Sequence, residues 1–241
     1  KSEIMACSAI GDAAHSSTAL IGLYAPTYDL VRLITGPRIC DKLSEQGIPH
    51  KWNKSENIVY TSWPRFGDFL MRTMDNPERI VGYETYRAHV DEIDTMKTEK
   101  AQLAWNKIIA RNRQRPEGIK NPFNRVSAYT TPEGFKFVYN RWMKDPTENY
   151  EMFQAATYSN PYLPDDYVDN LRAAYPAELI DAYIEGRFVN LTSGTVYRSY
   201  DRETNRSRET LKPGEPIRLG MDFNVGNMSA CAFVLRENDW H

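Results

Sequence analysis

A continuous run of apolar residues near the start of the chain restricts it to a small set of folds. Residues 18–25 read Thr-Ala-Leu-Ile-Gly-Leu-Tyr-Ala, and Pro26 closes the run. Such a run is typical of a strand buried on both faces, and strands of this kind lie in parallel sheets covered by helices. Residues 1–14 carry apolar side chains at helical spacing, before a short polar break. The sequence therefore predicts a helix followed by a buried parallel strand, which together form half of a βαβ unit.

Strand and helix patterns continue to alternate over the first 145 residues. The clearest helix pattern, over 97–113, carries one continuous apolar stripe at the spacing of an amphipathic helix. Further strands are predicted over 57–61, 69–73, 86–90 and 125–129, and another helix around 135–142. This rhythm predicts an α/β fold with a mainly parallel sheet and flanking helices.

The pattern changes after residue 145. Two short helices and two strands are predicted, over 165–174, 177–185, 217–224 and 228–236. A polar stretch with the glycines and prolines typical of a linker separates the helices from the strands. A tight turn is predicted at Val225-Gly226-Asn227, between the two strands. We therefore expect three parts, which comprise residues 1–145, 146–212 and 213–241.

The composition indicates a globular protein. The 241 residues are 41% hydrophobic and 26% charged, which excludes bulk disorder, collagen and coiled coil. No apolar run approaches the roughly 20 residues of a membrane span, so no membrane partner is expected. The three cysteines are odd in number and far apart, which favours a reducing compartment. Both ends read as cuts through structured elements, so we expect a fragment of a longer protein.

An acidic pair follows the strand predicted over 86–90. Asp91 and Glu92 have the arrangement of an acidic strand end in ATPases, where the first acid holds Mg²⁺ and the second polarises the water that attacks the γ-phosphate. Arg87 and His89 interrupt the apolar run that normally precedes these acids. The alternative interpretation is a solvated strand end with no catalytic role.

Lys1 and Ser2 begin the first predicted helix. These residues match what would remain of a phosphate loop, GxxxxGK[ST], if it were cut just before its lysine. In such a loop the lysine reaches the β- and γ-phosphates and the hydroxyl binds Mg²⁺, while the helix N-terminus holds the anion. Without the loop glycines, the fragment by itself is expected to bind ATP poorly and to be inactive.

Thr130 and Thr131 end the next predicted strand and precede Pro132. Hydroxyl groups at this position can sense a γ-phosphate from the edge of the sheet, and Pro132 can begin the following helix. An N-cap by Thr131 with Pro132 at the first helical position explains the segment equally well locally. The order of a Lys-Ser helix, an acid-ended strand and a hydroxyl-ended strand favours one nucleotide site, in a sheet of the P-loop NTPase type.

Asp222 lies in the first of the two carboxy-terminal strands. With the period-two alternation of a strand, it faces away from Leu219, Met221 and Phe223. An aspartate on the open face of a first strand is typical of the first metal-binding carboxylate in RNase H-like nucleases, which use two metals to cut a phosphodiester. A lone strand aspartate is more often structural, so both interpretations remain open at this residue.

Six short segments, taken in order, form a specific set. They are Tyr24-Ala-Pro-Thr-Tyr28, residues 75–84 leading to Asp91-Glu92, Thr130-Thr-Pro-Glu-Gly134, Ser159-Asn-Pro-Tyr-Leu163, Tyr183-Ile-Glu-Gly-Arg-Phe188 and Gly220-Met-Asp222. In this order they resemble the large terminase subunits of tailed bacteriophages. The resemblance spans nearly the whole chain.

The resemblance implies an ATP-driven motor subunit that packs viral DNA into a capsid and also carries an endonuclease. The residue roles that it implies are nucleotide binding by Lys1 and Ser2, Mg²⁺ binding by Asp91 and Ser2, catalysis by Asp91 and Glu92, coupling of hydrolysis to movement by Thr130, Thr131 and Pro132, and nuclease metal binding by Asp222. The three predicted parts then become an ATPase core, a helical linker subdomain and the first hairpin of an RNase H-like nuclease domain.

The resemblance also implies cofactors and partners. The cofactors are ATP and Mg²⁺, with Mg²⁺ or Mn²⁺ at the nuclease site. The partners are double-stranded DNA, the portal protein, the small terminase subunit and further copies of the chain in a ring. The implied location is the portal of the procapsid in the cytoplasm of the bacterial host.

Two other functions remain open at the level of the residues. One is a different P-loop ATPase, such as a DNA helicase or translocase, that lacks a nuclease. The other is a non-catalytic binding module that uses the sheet only as a docking surface.

Overall fold

The structure is a computed structural model that describes residues 1–189, 210–222, 229–236 and 239–240. The chain divides into two compact units, Lys1–Thr192 and Ser193–His241, which are described separately below. The tight turn predicted at Val225-Gly226-Asn227 lies outside the described residues.

The first unit is built on a six-stranded sheet with the order β2-β3-β4-β1-β5-β6. Its strands are β1 (Leu20–Ala25), β2 (His50–Asn53), β3 (Ile58–Thr61), β4 (Asp68–Thr73), β5 (Arg87–Asp91) and β6 (Val126–Tyr129). The pairs β4-β1, β1-β5 and β5-β6 are parallel, whereas β2 and β3 form an antiparallel edge. This arrangement confirms the predicted α/β fold with a mainly parallel sheet.

Helices cover both faces of this sheet. The helices of the unit are α1 (Ser2–Ala13), α2 (Tyr28–Leu30), α3 (Gly36–Glu45), α4 (Thr98–Arg111), α5 (Tyr167–Ala174) and α6 (Ala177–Tyr183). One apolar cluster joins α1 and α3 to Ile21 and Leu23 of β1, and a second joins α4 to Tyr24 of β1 and to Val90. Since side chains alternate along a strand, the central strand serves both clusters, which is why its sequence is apolar throughout.

Two elements escaped the sequence-based prediction. Residues 28–45 form an unbroken helical path in which α2 passes through a π-helical turn, Val31–Thr35, into α3. Gly36-Pro37 reads as a break in the sequence, and in the structure Pro37 lies at the start of α3, directly after the π-helical turn. The edge strand β2 reads His-Lys-Trp-Asn, so it lacks the apolar pattern of a buried strand.

The helix predicted around 135–142 begins and ends slightly later in the structure. Residues 137–138 start it, and Tyr139–Lys144 continue as a π-helical turn. Its aromatic side chains pack on α4, where the rings of Trp105 and Trp142 lie 5.2 Å apart. The predicted apolar face therefore exists, although the backbone around it is not a regular α-helix.

The second unit contains two antiparallel strand pairs among its described residues. β7 (Arg218–Asp222) pairs with β8 (Ser229–Phe233), and β9 (Leu235–Arg236) pairs with β10 (Asp239–Trp240). The pairing of β7 with β8 agrees with the strands predicted from the sequence. Across the described part of both units, no helix combines the length and the apolar character that a bilayer crossing requires.

Candidate functional site

Three segments that are distant in sequence meet at one edge of the sheet in the first unit. Lys1 Nζ lies 2.5 Å from Glu92 Oε1 and also contacts the hydroxyl of Thr131. Ser2 Oγ donates a hydrogen bond of 3.2 Å to Asp91 Oδ2. The structure therefore brings together the start of α1, the end of β5 and the residues after β6, which the sequence predicts to share one site.

Strand order explains why these segments meet. β5 lies between β1 and β6 with all three strands parallel, so their carboxyl ends reach the same edge. Asp91 is paired with Tyr129 at the ends of β5 and β6. In open α/β sheets, ligands bind outside the carboxyl ends of the strands. The amino end of α1, with its unpaired N–H groups and positive dipole, adds a feature suited to an anion.

Asp91 has the surroundings of a cation ligand. It is only 4% exposed, and burial followed by the neighbouring Glu92 carboxylate raises its pKa above the ordinary value. Its Oδ2 accepts from Ser2, whereas its Oδ1 is buried with no hydrogen-bond partner in the described part of the chain. A buried, unpartnered carboxylate oxygen beside a serine hydroxyl is a donor set that fits Mg²⁺, which takes few protein ligands and keeps several waters.

Glu92 adopts a left-handed backbone conformation, with φ 51° and ψ 36°. This conformation costs a residue other than glycine about 1–2 kcal/mol, and such strain is common in active sites. The Glu92 N–H donates to the Tyr129 carbonyl at 2.8 Å, which holds the turn in place. The Glu92 side chain, 22% exposed, contacts Lys1 and Thr130, whereas the Asp91 side chain contacts Ser2.

The segment after β6 is fixed at both of its ends. Thr130 Oγ1 donates to Glu92 Oε2 at 3.4 Å. Farther along, the N–H groups of Glu133 and Val138 donate to the two carboxylate oxygens of Asp94, at 3.3 and 3.0 Å. Asp94 is fully buried, and burial raises its pKa above the ordinary value. The Thr130–Glu133 segment is thereby tied to the same turn that carries Asp91 and Glu92.

A buried ionic cluster behind the site was not predicted from the sequence. Asp12 of α1 accepts hydrogen bonds from Arg87, from His89 at 3.1 Å and from Arg125 at 3.1 Å. His89 also contacts the hydroxyl of Tyr129 at 3.1 Å. The two residues that interrupt the apolar run of β5 are therefore partners for an acid in α1. The feature that could have indicated this cluster is Asp12 itself, since an acid at a buried position of a helix requires partners.

No individual role could be assigned from the sequence to Asp94, Glu133 or Tyr183, although Glu133 and Tyr183 lie in two of the segments that carry the family resemblance. Asp94 was visible as an acid only two residues beyond Glu92, inside a segment that the structure buries. The hydrogen bond between Tyr183 and Glu133 spans 50 residues, and no pattern in the sequence reveals it.

Asp222 lies in the second unit as the last residue of β7, opposite Ser229 of β8. The structure describes its backbone and not its side chain. Its assignment as a nuclease ligand stays a prediction. Within the described residues, no group of three or more His, Cys, Asp or Glu side chains is arranged to hold a metal.

Comparison with known proteins gives one family match. The profile of a family described as "Terminase large subunit, T4likevirus-type, N-terminal" matches residues 1–204. A search of curated protein sequences gave no match.

Several solved structures that resemble this chain are large terminases. A large terminase from a thermophilic bacteriophage, in complex with ADP, has a TM-score of 0.64 and 16% identity, and the match covers 99% of this chain and 57% of that one. The large terminase ATPase domain of Thermus phage P74-26 has a TM-score of 0.54 and 15% identity, covering 78% of this chain and 84% of that one. The HK97 bacteriophage large terminase has a TM-score of 0.51 and 12% identity, covering 99% and 54%.

These structures show that the fold is shared, and the chain spans just over half the length of the thermophilic phage protein. The family profile covers most of the sequence, including every segment of the site at the edge of the sheet. The chain therefore belongs to the family of T4-like large terminase subunits, whose N-terminal profile it matches over residues 1–204.

Proposed function

We propose that this chain supplies the ATP-hydrolysing part of a motor subunit that packs double-stranded viral DNA. The observation that carries the proposal is the meeting of Lys1, Ser2, Asp91, Glu92 and Thr131 at one edge of a parallel sheet. Family membership supports the same function. Nucleotide binding is further supported by the structures of the thermophilic phage protein, which are described as complexes with ADP and with ATP-γ-S.

The amino end of α1 is the proposed phosphate site. Lys1 would bind the β- and γ-phosphates, assisted by the N–H groups of the first helical turn. Asp91 and Ser2 would hold Mg²⁺, since the unpartnered Oδ1 of Asp91 and the Ser2 hydroxyl offer the oxygen ligands that this ion prefers. An ion bound there would neutralise negative charge on the phosphates.

Glu92 is the proposed acceptor of the proton from the attacking water. As the water oxygen bonds to the γ-phosphorus, the bond between that phosphorus and the bridging oxygen of ADP breaks, and the proton passes to the Glu92 carboxylate. The left-handed turn supports this role because the Glu92 and Asp91 side chains have separate partners. The two adjacent acids can then serve the water and the metal separately.

Thr130, Thr131 and Pro132 are the proposed coupling segment. Thr130 contacts the Glu92 carboxylate and Thr131 contacts Lys1, so both hydroxyls lie beside groups that change partners when a γ-phosphate is present or lost. Movement of this segment would report hydrolysis to the rest of the molecule.

We further propose the domain roles and partners that the family implies. Residues 1–145 form the ATPase core, 146–212 a linker subdomain and 213–241 the start of a nuclease domain. The proposed partners are double-stranded DNA, the portal protein, the small terminase subunit and further copies of the chain in a ring, at the procapsid portal in the host cytoplasm.

A second proposed activity is metal-dependent DNA cleavage with Asp222 as a metal ligand. Support comes from the strand position of Asp222, at the end of β7 and opposite β8. In the full-length protein, Asp222→Ala should abolish plasmid cleavage in Mg²⁺ or Mn²⁺ and leave ATP hydrolysis intact, whereas Asp169→Ala at an exposed position of α5 should preserve both. If the Asp222→Ala variant still cleaves the plasmid, the assignment of Asp222 to a nuclease site is wrong. If the wild-type protein hydrolyses ATP but does not cleave the plasmid, a helicase or translocase without a nuclease is favoured instead.

The test of the ATPase proposal is Glu92→Gln in the full-length protein. DNA-stimulated ATP turnover should fall by about 100-fold or more, the scale of a lost general base, with the affinity for ATP retained. The matched control is Glu99→Gln, which alters an exposed glutamate in the first turn of α4. Turnover that is unaffected by Glu92→Gln contradicts the proposal and favours the binding-module alternative.

A further inference from the structure

Glu133 connects the proposed coupling segment to two other parts of the first unit. It follows Pro132 directly, and its N–H donates to Asp94 Oδ2 at 3.3 Å. Its carboxylate Oε1 accepts a hydrogen bond of 2.8 Å from the hydroxyl of Tyr183. One residue thus contacts both the turn beyond Glu92 and the last residue of α6.

Tyr183 is itself fixed within the helical segment that contains α5 and α6. The Thr157 hydroxyl donates to the Tyr183 carbonyl at 2.7 Å, and the Thr157 N–H donates to the Ile184 carbonyl at 2.7 Å. The ring of Tyr175, just beyond α5, lies 5.9 Å from that of Tyr183. Because Ala182 and Ile184 on either side are fully buried, the Tyr183 hydroxyl has little freedom to move independently of α6.

The hydroxyl of Tyr183 remains a donor under physiological conditions. Burial, followed by the hydrogen bond to Glu133, raises the pKa of Tyr183 to about 12. The bond therefore joins a neutral donor to a carboxylate, and hydrogen bonds to charged groups are among the stronger ones in proteins.

The coupling segment is short and stiff, which makes this contact sensitive to the site. Only two residues separate Thr130 from Glu133, and one of them is Pro132, whose ring fixes φ. Because the connection is this short, we expect a shift of Thr130 relative to Glu92 to reach Glu133, where it would move Tyr183 or break the hydrogen bond. Another contact in this region, the ring pair Tyr139 and Phe188 at 5.6 Å, does not involve the coupling segment.

We propose that Tyr183 is a positioning residue through which the Thr130–Glu133 segment conveys the state of the nucleotide site to α5 and α6. This inference rests on the proposed function, since it requires that nucleotide binds at the edge of the sheet. Beyond that function, it assigns a role to Tyr183 and a direction to the transmitted change. The change passes from Glu133, through its hydrogen bond with Tyr183, to α5 and α6.

The experiment is hydrogen–deuterium exchange of residues 167–183 in the full-length protein, with and without ATP-γ-S. In the wild-type protein, ATP-γ-S should change the exchange of these helices. Tyr183→Phe should abolish most of that change, because a lost hydrogen bond to a charged acceptor shifts a coupled equilibrium by about tenfold. The affinity for ATP-γ-S should change by no more than about tenfold, because coupling between two sites is reciprocal and the lost coupling is of that size.

The matched control is Tyr158→Phe, which removes a hydroxyl that donates to Glu185 at 3.2 Å in the same helical region. This variant should respond to ATP-γ-S as the wild type does. Glu133→Ala should reproduce the effect of Tyr183→Phe, and Glu133→Gln, which keeps a carbonyl oxygen as acceptor, should restore most of the response. A role confined to stability would not give this pattern.

The outcomes separate this inference from the proposed function. If ATP-γ-S still changes α5 and α6 as in the wild type in both Tyr183→Phe and Glu133→Ala, the inference is overturned while the proposed function stands. If the wild-type protein binds ATP-γ-S but its α5 and α6 do not respond, the inference is again overturned. If the wild-type protein does not bind ATP-γ-S at all, both fall.

Discussion

Asp12 of α1 accepts a hydrogen bond of 3.1 Å from His89 of β5, in the interior of the protein. The contact joins the helix that begins at Ser2 to the strand that ends at Asp91, so it connects the two elements that carry opposite sides of the candidate site. Arg87 and Arg125 supply positive charge to the same carboxylate. Asp12 therefore helps to fix the position of α1 relative to β5.

Removal of that acid should destabilise the protein strongly. Asp12→Ala leaves the largely buried Arg87 without its carboxylate partner and His89 without one of its hydrogen bonds, and a broken buried ion pair costs about 3 kcal/mol. We expect this loss in the free energy of unfolding measured by urea denaturation. Asp41→Ala, at an exposed position of α3, is the control and should change the free energy by less than about 0.5 kcal/mol. Equal effects of the two substitutions would contradict the structural role of Asp12.

Stability should decline on mild acidification because of His89. Burial lowers the pKa of His89 below its ordinary value, and the hydrogen bond to Asp12 only partly offsets this. Below about pH 6.5 the unfolded chain binds a proton at this histidine that the folded protein excludes, so the free energy of unfolding falls as the pH falls. The lowered pKa of Asp12, where burial is outweighed by the hydrogen bonds from His89 and Arg87, acts only at more acid pH.

The measurement is urea denaturation between about pH 7.5 and about pH 5 at constant ionic strength, with the pH range set about the ordinary histidine pKa. His89→Gln should flatten the slope in this range, since the group that titrates on unfolding is gone. A slope that His89→Gln leaves unchanged would assign the dependence to other groups.

The left-handed turn at Glu92 should be detectable as strain. Glu92→Gly and Glu92→Ala both remove the carboxylate, but only glycine adopts φ 51° without steric cost. We expect the glycine variant to be more stable than the alanine variant by about 1 kcal/mol in thermal or urea unfolding. Both variants should lack ATP turnover. If alanine were the more stable substitution, the proposed strain at this position would be wrong.

Loss of Asp94 should disturb the Thr130–Glu133 segment as well as the fold. Asp94→Ala leaves the N–H groups of Glu133 and Val138 without their acceptor, at a cost of about 2–3 kcal/mol. DNA-stimulated ATP turnover should also fall, because the Thr130–Glu133 segment loses its anchorage. Asp75→Ala, which breaks an exposed ion pair of 3.6 Å with Lys100, should alter neither property measurably. Normal turnover in a folded Asp94→Ala protein would separate Asp94 from the site.

The parts of the fold and site that could be predicted depend on local patterns. The buried run before Pro26, the apolar stripe of α4 and the acids after β5 each lie within a few turns or one strand, so periodicity reveals them. Parallel pairing then requires that strand ends share an edge, which is why Lys1, Asp91 and Thr131 could be expected to meet from the sequence alone.

The parts that escaped prediction depend on contacts between distant residues. Arg87 and His89 look like defects in a strand until Asp12, which lies 75 and 77 positions earlier, is placed beside them. Likewise Tyr183 begins one of the segments that carry the family resemblance, but the sequence does not reveal its partner, because only the fold brings Tyr183 to Glu133. No residue of the edge strand β2 is fully buried, so its sequence lacks the apolar alternation of a strand with one buried face. Its pairing with β3 therefore could not be predicted from the sequence.

The central place of β1 has a consequence for synthesis of the chain. Within this unit β1 is translated before the other strands, yet its two neighbours, β4 and β5, end only at Thr73 and Asp91. A nascent polypeptide on the ribosome must therefore carry an apolar strand with open edges through most of that interval, the kind of segment that chaperones bind and that invites aggregation. The sheet is completed outward from β1, the first of its strands to be synthesised, and Asp91 and Glu92 are synthesised at the end of β5, which pairs with the second edge of β1.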